Sequence, residues 1–109
     1  MGLAKIEDFT IKENKIALYA KALAHPARIA IIQLLLKKQT CYCGDIVEEL
    51  PLSQSTVSQH LKELKNAGLI KGTIEGVKTC YCIDENEWSL AKQYLGTLLN
   101  TPLPGNTCC

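Results

Sequence analysis

Apolar residues recur three and four positions apart along most of the chain, and the breaks in that pattern divide it into short helices. A helical stretch rich in Ala, Leu and Lys runs from about Lys12 to Ala24. Ahead of it, Ile6, Phe9 and Ile11 read as apolar anchors of a leader. His25-Pro26 breaks the pattern, because the residue before proline is pushed out of the helical region. Pro26 then suits the first turn of a second helix reaching about Lys38. Ile29, Ile31, Ile32, Leu34, Leu35 and Leu36 leave that helix little polar side, which predicts a central position. A short third helix, roughly Gly44 to Leu50, would bury Ile46, Val47 and Leu50 and stop at Pro51. Ser53 is placed to cap a fourth helix and Gly68 to end it.

Past Gly68 the period changes from helical to strand-like. Leu69 to Glu75 and Lys78 to Ile83 have strand composition about a Gly76-Val77 turn. Asp84 with Glu87 three residues on has the form of a capping box for a fifth helix to about Leu99. Trp88, Ala91, Leu95 and Leu98 make its apolar stripe. The tail TPLPGNTCC should lack regular structure. The expected organisation is one folded domain over 1–99 and a flexible tail over 100–109. The fold class is mainly α with a small β-hairpin, in the order α-α-α-α-β-β-α. Two helices joined by the short PLS turn, with a hairpin directly after, read as a winged helix-turn-helix.

Composition narrows the function. With 109 residues, 47% apolar and 21% charged, the chain has room for one ordinary globular domain. The apolar run from Ile29 to Leu36 is far short of the ~20 residues that span a bilayer, and no signal peptide is visible, so a cytoplasmic protein without membrane contact is expected. No paired-carboxylate, Ser-His or phosphate-loop signature is present, which argues against an enzyme. A single Phe and a single Trp leave a small aliphatic core, marginal for a monomer of this length. A homodimer is therefore expected, using the stripe Trp88, Ala91, Leu95 and Leu98 together with Tyr19 of the first helix.

The formal net charge is only +1, so a basic face must be local. From His60 to Lys78 there are four Lys against two Glu. On the fourth helix Val57, Leu61 and Leu64 share one face at 100° per residue. Ser55, Ser58, Gln59 and Lys62 share the opposite face, with Gln54 at the tip. Gln and Ser can read base edges, and Ser and Lys can hold phosphates. Thr56 and His60 beside that face, and Lys71 and Lys78 on the hairpin, complete the expected contacts to double-stranded DNA.

The stretches KALAHPARIAIIQLLL and DIVEELPLSQSTVSQHLKELKNAGLIKGTIEGVKTCYCID closely resemble the ArsR (SmtB/ArsR) family of bacterial metal-responsive repressors. The match covers about residues 18–84. The resemblance implies a dimeric winged helix-turn-helix, paired through its first and last helices, that holds operator DNA until an inducer releases it. It also implies that Gln54, Ser55, Ser58 and Gln59 lie in the major groove, with Lys71 and Lys78 on the wing.

Six cysteines fall in three close pairs: Cys41 and Cys43, Cys80 and Cys82, Cys108 and Cys109. Close pairs are poor disulfide partners for each other, and without an export signal reduced thiols are expected. Many family members sense soft ions through a Cys-Val-Cys-Asp-Leu motif opening the third helix. Here Cys41-Tyr42-Cys43-Gly44-Asp45-Ile46 stands there, its thiols one residue earlier. Thiolates select soft metals, so Cys41 and Cys43 are the candidate ligands of an inducer ion, arsenite or antimonite. Such an ion takes three thiolates. Cys108 or Cys109 could supply the third, because a tail of ~10 residues reaches ~33 Å when extended. Cys80 and Cys82 point to one sheet face and suit packing as well as ligation. The last helix has no histidine, which disfavours the family's other metal site, and no organic cofactor is implied. Two alternatives stay open: a thiol redox or persulfide sensor on the same scaffold, and a winged-helix module for protein partners.

Overall fold

The computed structural model describes residues 8–37, 46–76 and 78–105. Five helices and two strands follow in the order α1 (Ile11–Ala22), α2 (Pro26–Lys37), α3 (Ile46–Glu49), α4 (Gln54–Asn66), β1 (Ile70–Glu75), β2 (Lys78–Ile83) and α5 (Glu85–Leu99). This is the expected winged helix-turn-helix order.

Local chemistry explains most of the boundaries. Thr10 caps α1 through a full capping box: its hydroxyl accepts from the Glu13 amide at 3.0 Å, and the Glu13 carboxylate accepts from the Thr10 amide at 3.0 Å. That Thr-x-x-Glu signature places the helix start at Ile11, so Ile11 belongs to the helix and not to a leader. Phe9 and Ile11 are exposed, not anchored, and Ile6 lies outside the described residues. α2 opens at Pro26 as expected. His25 sits just before it and accepts from the Ala27 amide through Nδ1 at 3.0 Å. Ser53 caps α4, accepting from the Thr56 amide. Gly68 takes φ +86 beyond its end, a conformation that suits glycine.

The strands pair antiparallel from Ile70↔Ile83 to Glu75↔Lys78, and Gly76 at φ +64 begins the turn. The core gathers Tyr19, Ile31, Ile32, Leu35, Ile46, Val57, Leu61, Leu64, Leu69 and Ala91. Helix α5 packs on α1, and α2 packs on both α4 and β2. Only one side of α2 is buried in the chain, at Ala27, Ile31, Ile32 and Leu35. Ile29 and Leu36 are exposed, so α2 is less enclosed than its composition suggests.

At the start of α5, the expected capping box is only half made. The Asp84 carboxylate accepts from the Glu87 amide at 3.1 Å. The Glu87 carboxylate does not turn back to Asp84. It accepts from Lys15 Nζ at 2.8 Å and from the Tyr19 hydroxyl, both on α1. Tyr19 is fully buried, and its hydroxyl would otherwise lack a partner there. That demand and the Lys15 charge outcompete the cap. The Lys15 and Tyr19 hydrogen bonds hold the Glu87 pKa below its ordinary value, and the bond to Glu87 raises that of Lys15.

Candidate nucleic-acid interface

Helix α4 is strongly two-sided. Val57, Leu61 and Leu64 are buried against the core, whereas Gln54, Ser55, Ser58, Gln59 and Lys62 are all exposed. The division is a direct consequence of a 3.6-residue period acting on VxxxLxxL within a polar sequence. At its N-terminus three hydroxyls gather. Ser53 Oγ donates to Thr56 Oγ1 at 2.8 Å and lies 3.4 Å from Ser55 Oγ. Thr56 is thus half-buried and engaged in the cap. Further along, Gln59 Nε2 donates to Glu63 Oε1 at 3.2 Å, an intrahelical contact that costs little to exchange for another acceptor. Lys71 is exposed on β1, and Lys78 pairs by its backbone with Glu75 at the turn end of β2.

His60 departs from the expected contact set. It is 7% exposed and faces away from the polar side of α4. Its Nδ1 accepts from Arg28 Nε at 3.1 Å, and its ring lies 4.4 Å from that of His25, centroid to centroid. Burial, followed by the charges of His25 and Arg28, lowers its pKa from the ordinary 6.5. Both imidazoles accept a hydrogen bond at Nδ1, so each neutral ring carries its proton on Nε2. The Arg28 Nη1 also donates to the carbonyls of Lys21 and Ala22 at 3.3 Å each, in the last turn of α1, where the Lys21 carbonyl also accepts from the Ala24 amide. Arg28 thereby joins α1, α2 and α4. The sequence reading did not single it out, although an arginine one turn past a His-Pro helix start was visible.

Of the residues expected at a dimer contact, Tyr19 and Ala91 are already buried within the chain. Trp88 and Leu95 are half-buried against the core, and Leu98 is 55% exposed. Leu18, Leu98 and Leu99 remain open on the same pair of helices.

Cys41, Cys43, Cys108 and Cys109 lie outside the described residues. Among the described residues no three His, Cys, Asp or Glu side chains group to hold an ion. Cys80 is fully buried on β2 and Cys82 half-buried. Each is disulfide-bonded, contrary to the expectation of reduced thiols. No helix among the described residues is long and apolar enough to cross a membrane.

A two-sided helix entered through a tight turn, with a β-hairpin directly after it, defines a winged helix-turn-helix regulator. Known proteins specify the family. Residues 25–71 match the model of the bacterial regulatory protein, arsR family. The HTH-type transcriptional regulator CmtR of Mycobacterium tuberculosis is 34% identical over 97 residues, covering 89% of this chain and 79% of that protein. The arsenical resistance operon repressor of Staphylococcus xylosus is 32% identical over 88 residues, covering 81% and 83%. The NMR structure of the cadmium metal-sensor CmtR superposes with a TM-score of 0.56 at 31% identity, over 86% of this chain and 96% of that one. The chain belongs to the ArsR family of DNA-binding transcriptional regulators, which are not enzymes.

Proposed function

We propose that this chain is a homodimeric, cytoplasmic repressor that binds operator DNA through α4 and the wing and is released by a thiophilic ion. The observation that carries the reading is the exposed row Gln54, Ser55, Ser58, Gln59 and Lys62 on a helix whose other face is locked into the core. Such a row presents amide and hydroxyl groups that can hydrogen-bond base edges, and in this reading Lys71 and Lys78 of the wing contact phosphates. Buried His60 leaves the contact set, and Thr56 serves the cap. Two such helices in a two-fold dimer fit successive major grooves ~34 Å apart, so the operator is an imperfect palindrome. The exposed Leu18, Leu98 and Leu99 on α1 and α5 support pairing through those helices. Cys41 and Cys43, with Cys108 or Cys109, are the inducer ligands in this reading, and arsenite or antimonite is the three-thiolate inducer.

The test is binding of reduced protein to DNA from its own upstream region, followed by titration with arsenite, antimonite and cadmium. Specific binding with a steep salt dependence, and release by at least one of the ions, is expected. Operator binding unaffected by all three ions overturns the sensor assignment. Absence of any salt-dependent DNA binding overturns the whole reading.

A further inference from the structure

We infer that Thr79 and Tyr81 of the wing, together with Gln54 and Ser58 of α4, form a cleft that holds one phosphodiester of the DNA backbone. The inference rests on the operator-binding reading above and adds two wing hydroxyls to its contacts.

The cleft follows from the strand register. Ile70, Gly72 and Ile74 of β1 face the same way as Ile83, Tyr81 and Thr79, their partners across the hairpin. Ile70 is buried and Ile83 packs on the core, so this sheet face starts inside the domain. It leaves the core at half-buried Tyr81, and at its outer end Ile74 and Thr79 are exposed. Where the face parts from the core there is a cavity of ≈ 330 Å³. Gln54, Val57, Ser58 and Leu61 of α4 line it, with Thr79 and Tyr81 of β2 and the first two residues of α3.

Gly72 makes room for one wall. A Cβ there would stand 3.2 Å from Tyr81 Cε1 and 3.4 Å from Thr79 Cγ2. The Tyr81 ring therefore lies across the glycine, beside the Thr79 methyl, in a position that a side chain at 72 would crowd. The polar groups of the cleft are the Gln54 amide and the hydroxyls of Ser58, Thr79 and Tyr81. None of these four makes a side-chain hydrogen bond among the described residues. No acidic side chain among the described residues lines the cleft to repel an anion.

Placement selects the occupant. Gln54 and Ser58 belong to the exposed row of α4, and Val57 and Leu61 to its buried face. The cleft thus lies on the flank between them, on the side of the wing. A helix with its side chains is ~10–12 Å across, and the major groove is ~12 Å wide. A helix seated there has a phosphate wall against each flank, and the wall on the wing side meets the cleft. Hydroxyls and side-chain amides are ordinary partners of phosphate oxygens. The apolar floor of Val57 and Leu61 suits the carbon face of the attached deoxyribose. All four polar groups are neutral, so they add affinity without the counterion release that lysine contacts bring.

The experiment measures operator binding by the full-length chain as a function of salt. Tyr81→Phe and Thr79→Val should each bind about three- to tenfold more weakly, the effect of one neutral hydrogen bond, with an unchanged salt slope. Thr79 is exposed, so its replacement leaves the core as it is. Full affinity in both variants overturns the inference. A loss accompanied by a lower salt slope traces to displaced lysines and overturns it too.

A second measurement keeps the unaltered chain and changes the DNA. Single methylphosphonates, each replacing one charged phosphate oxygen by a methyl group, are walked along both operator strands. One position in each half-site should weaken binding and, once substituted, show no further loss with Tyr81→Phe. Losses that simply add at every substituted phosphate overturn the inference. If Gln59→Ala loses affinity while the two hydroxyl variants do not, the cleft falls and α4 remains the reader. If the chain shows no salt-dependent DNA binding, the operator reading and the cleft built on it fall together.

Discussion

Arg28 Nε donates to His60 Nδ1 at 3.1 Å, so a cation on α2 holds the inner side of the helix whose outer side faces solvent. The same guanidinium caps α1 through the Lys21 and Ala22 carbonyls. Arg28→Ala removes the donor from all three acceptors and is expected to cost ~1.5–3 kcal/mol in denaturant unfolding. Arg28→Lys should recover little, since an ammonium has no planar fork to span three acceptors. Full stability in Arg28→Ala would show that the contact contributes nothing.

The pH dependence of stability follows from His60. Its pKa is lowered in the fold by burial first, then by the charges of His25 and Arg28, with Glu63 acting in the opposite sense. As pH falls below 6.5 the unfolded chain takes up the proton while the fold still resists it. The stabilising contribution is complete above 6.5 and is lost as pH falls through the folded value. Unfolding midpoints should therefore drop on mild acidification, and His60→Gln should flatten that drop. An equally steep drop in His60→Gln assigns it to other groups.

Two glycines with positive φ make a matched pair for substitution. Gly68 has φ +86, and a Cβ there would stand 3.1 Å from Glu87 Cγ. Gly76 has φ +64 with nothing within 4 Å. Gly76→Ala should cost only the left-handed backbone term, ~1–2 kcal/mol. Gly68→Ala should cost more, because Glu87 is held by Lys15 and Tyr19 and yields poorly. Equal losses in the two variants would mean that Glu87 moves freely.

On DNA, Gln59→Ala should cost ~1–3 kcal/mol at one operator position and relax specificity there. Lys71→Ala should weaken all sequences alike and reduce the salt slope by about 1. Operator binding unchanged by joint replacement of Gln54, Ser58 and Gln59 with Ala would remove α4 as the reader.

Much of this architecture was legible in the residues. Ser53, Gly68 and the apolar spacing of Val57, Leu61 and Leu64 act within one turn of chain, and the structure has them as read. Glu87 was misassigned because its carboxylate is claimed by Lys15 and Tyr19, about 70 positions away, and local pattern carries no such information. His60 was misplaced for a related reason. At 100° per residue it lies at the border of two faces, and its contacts with Arg28 and His25, more than 30 positions away, go with the inner side.

The contacts of Glu87 bear on how portable the DNA-facing helix is. The first turn of α5 meets Lys15 and Tyr19 on one side and the Gly68 corner on the other. Arg28 grips α4 from behind. An isolated peptide of 13 residues, the length of α4, is too short to hold a helix in water. Transplanting the specificity of this chain into another scaffold therefore means moving exposed side chains onto a recipient helix that has its own supports. Excising residues 53–68 as a cassette would leave behind the carboxylate, the guanidinium and the corner that aim them.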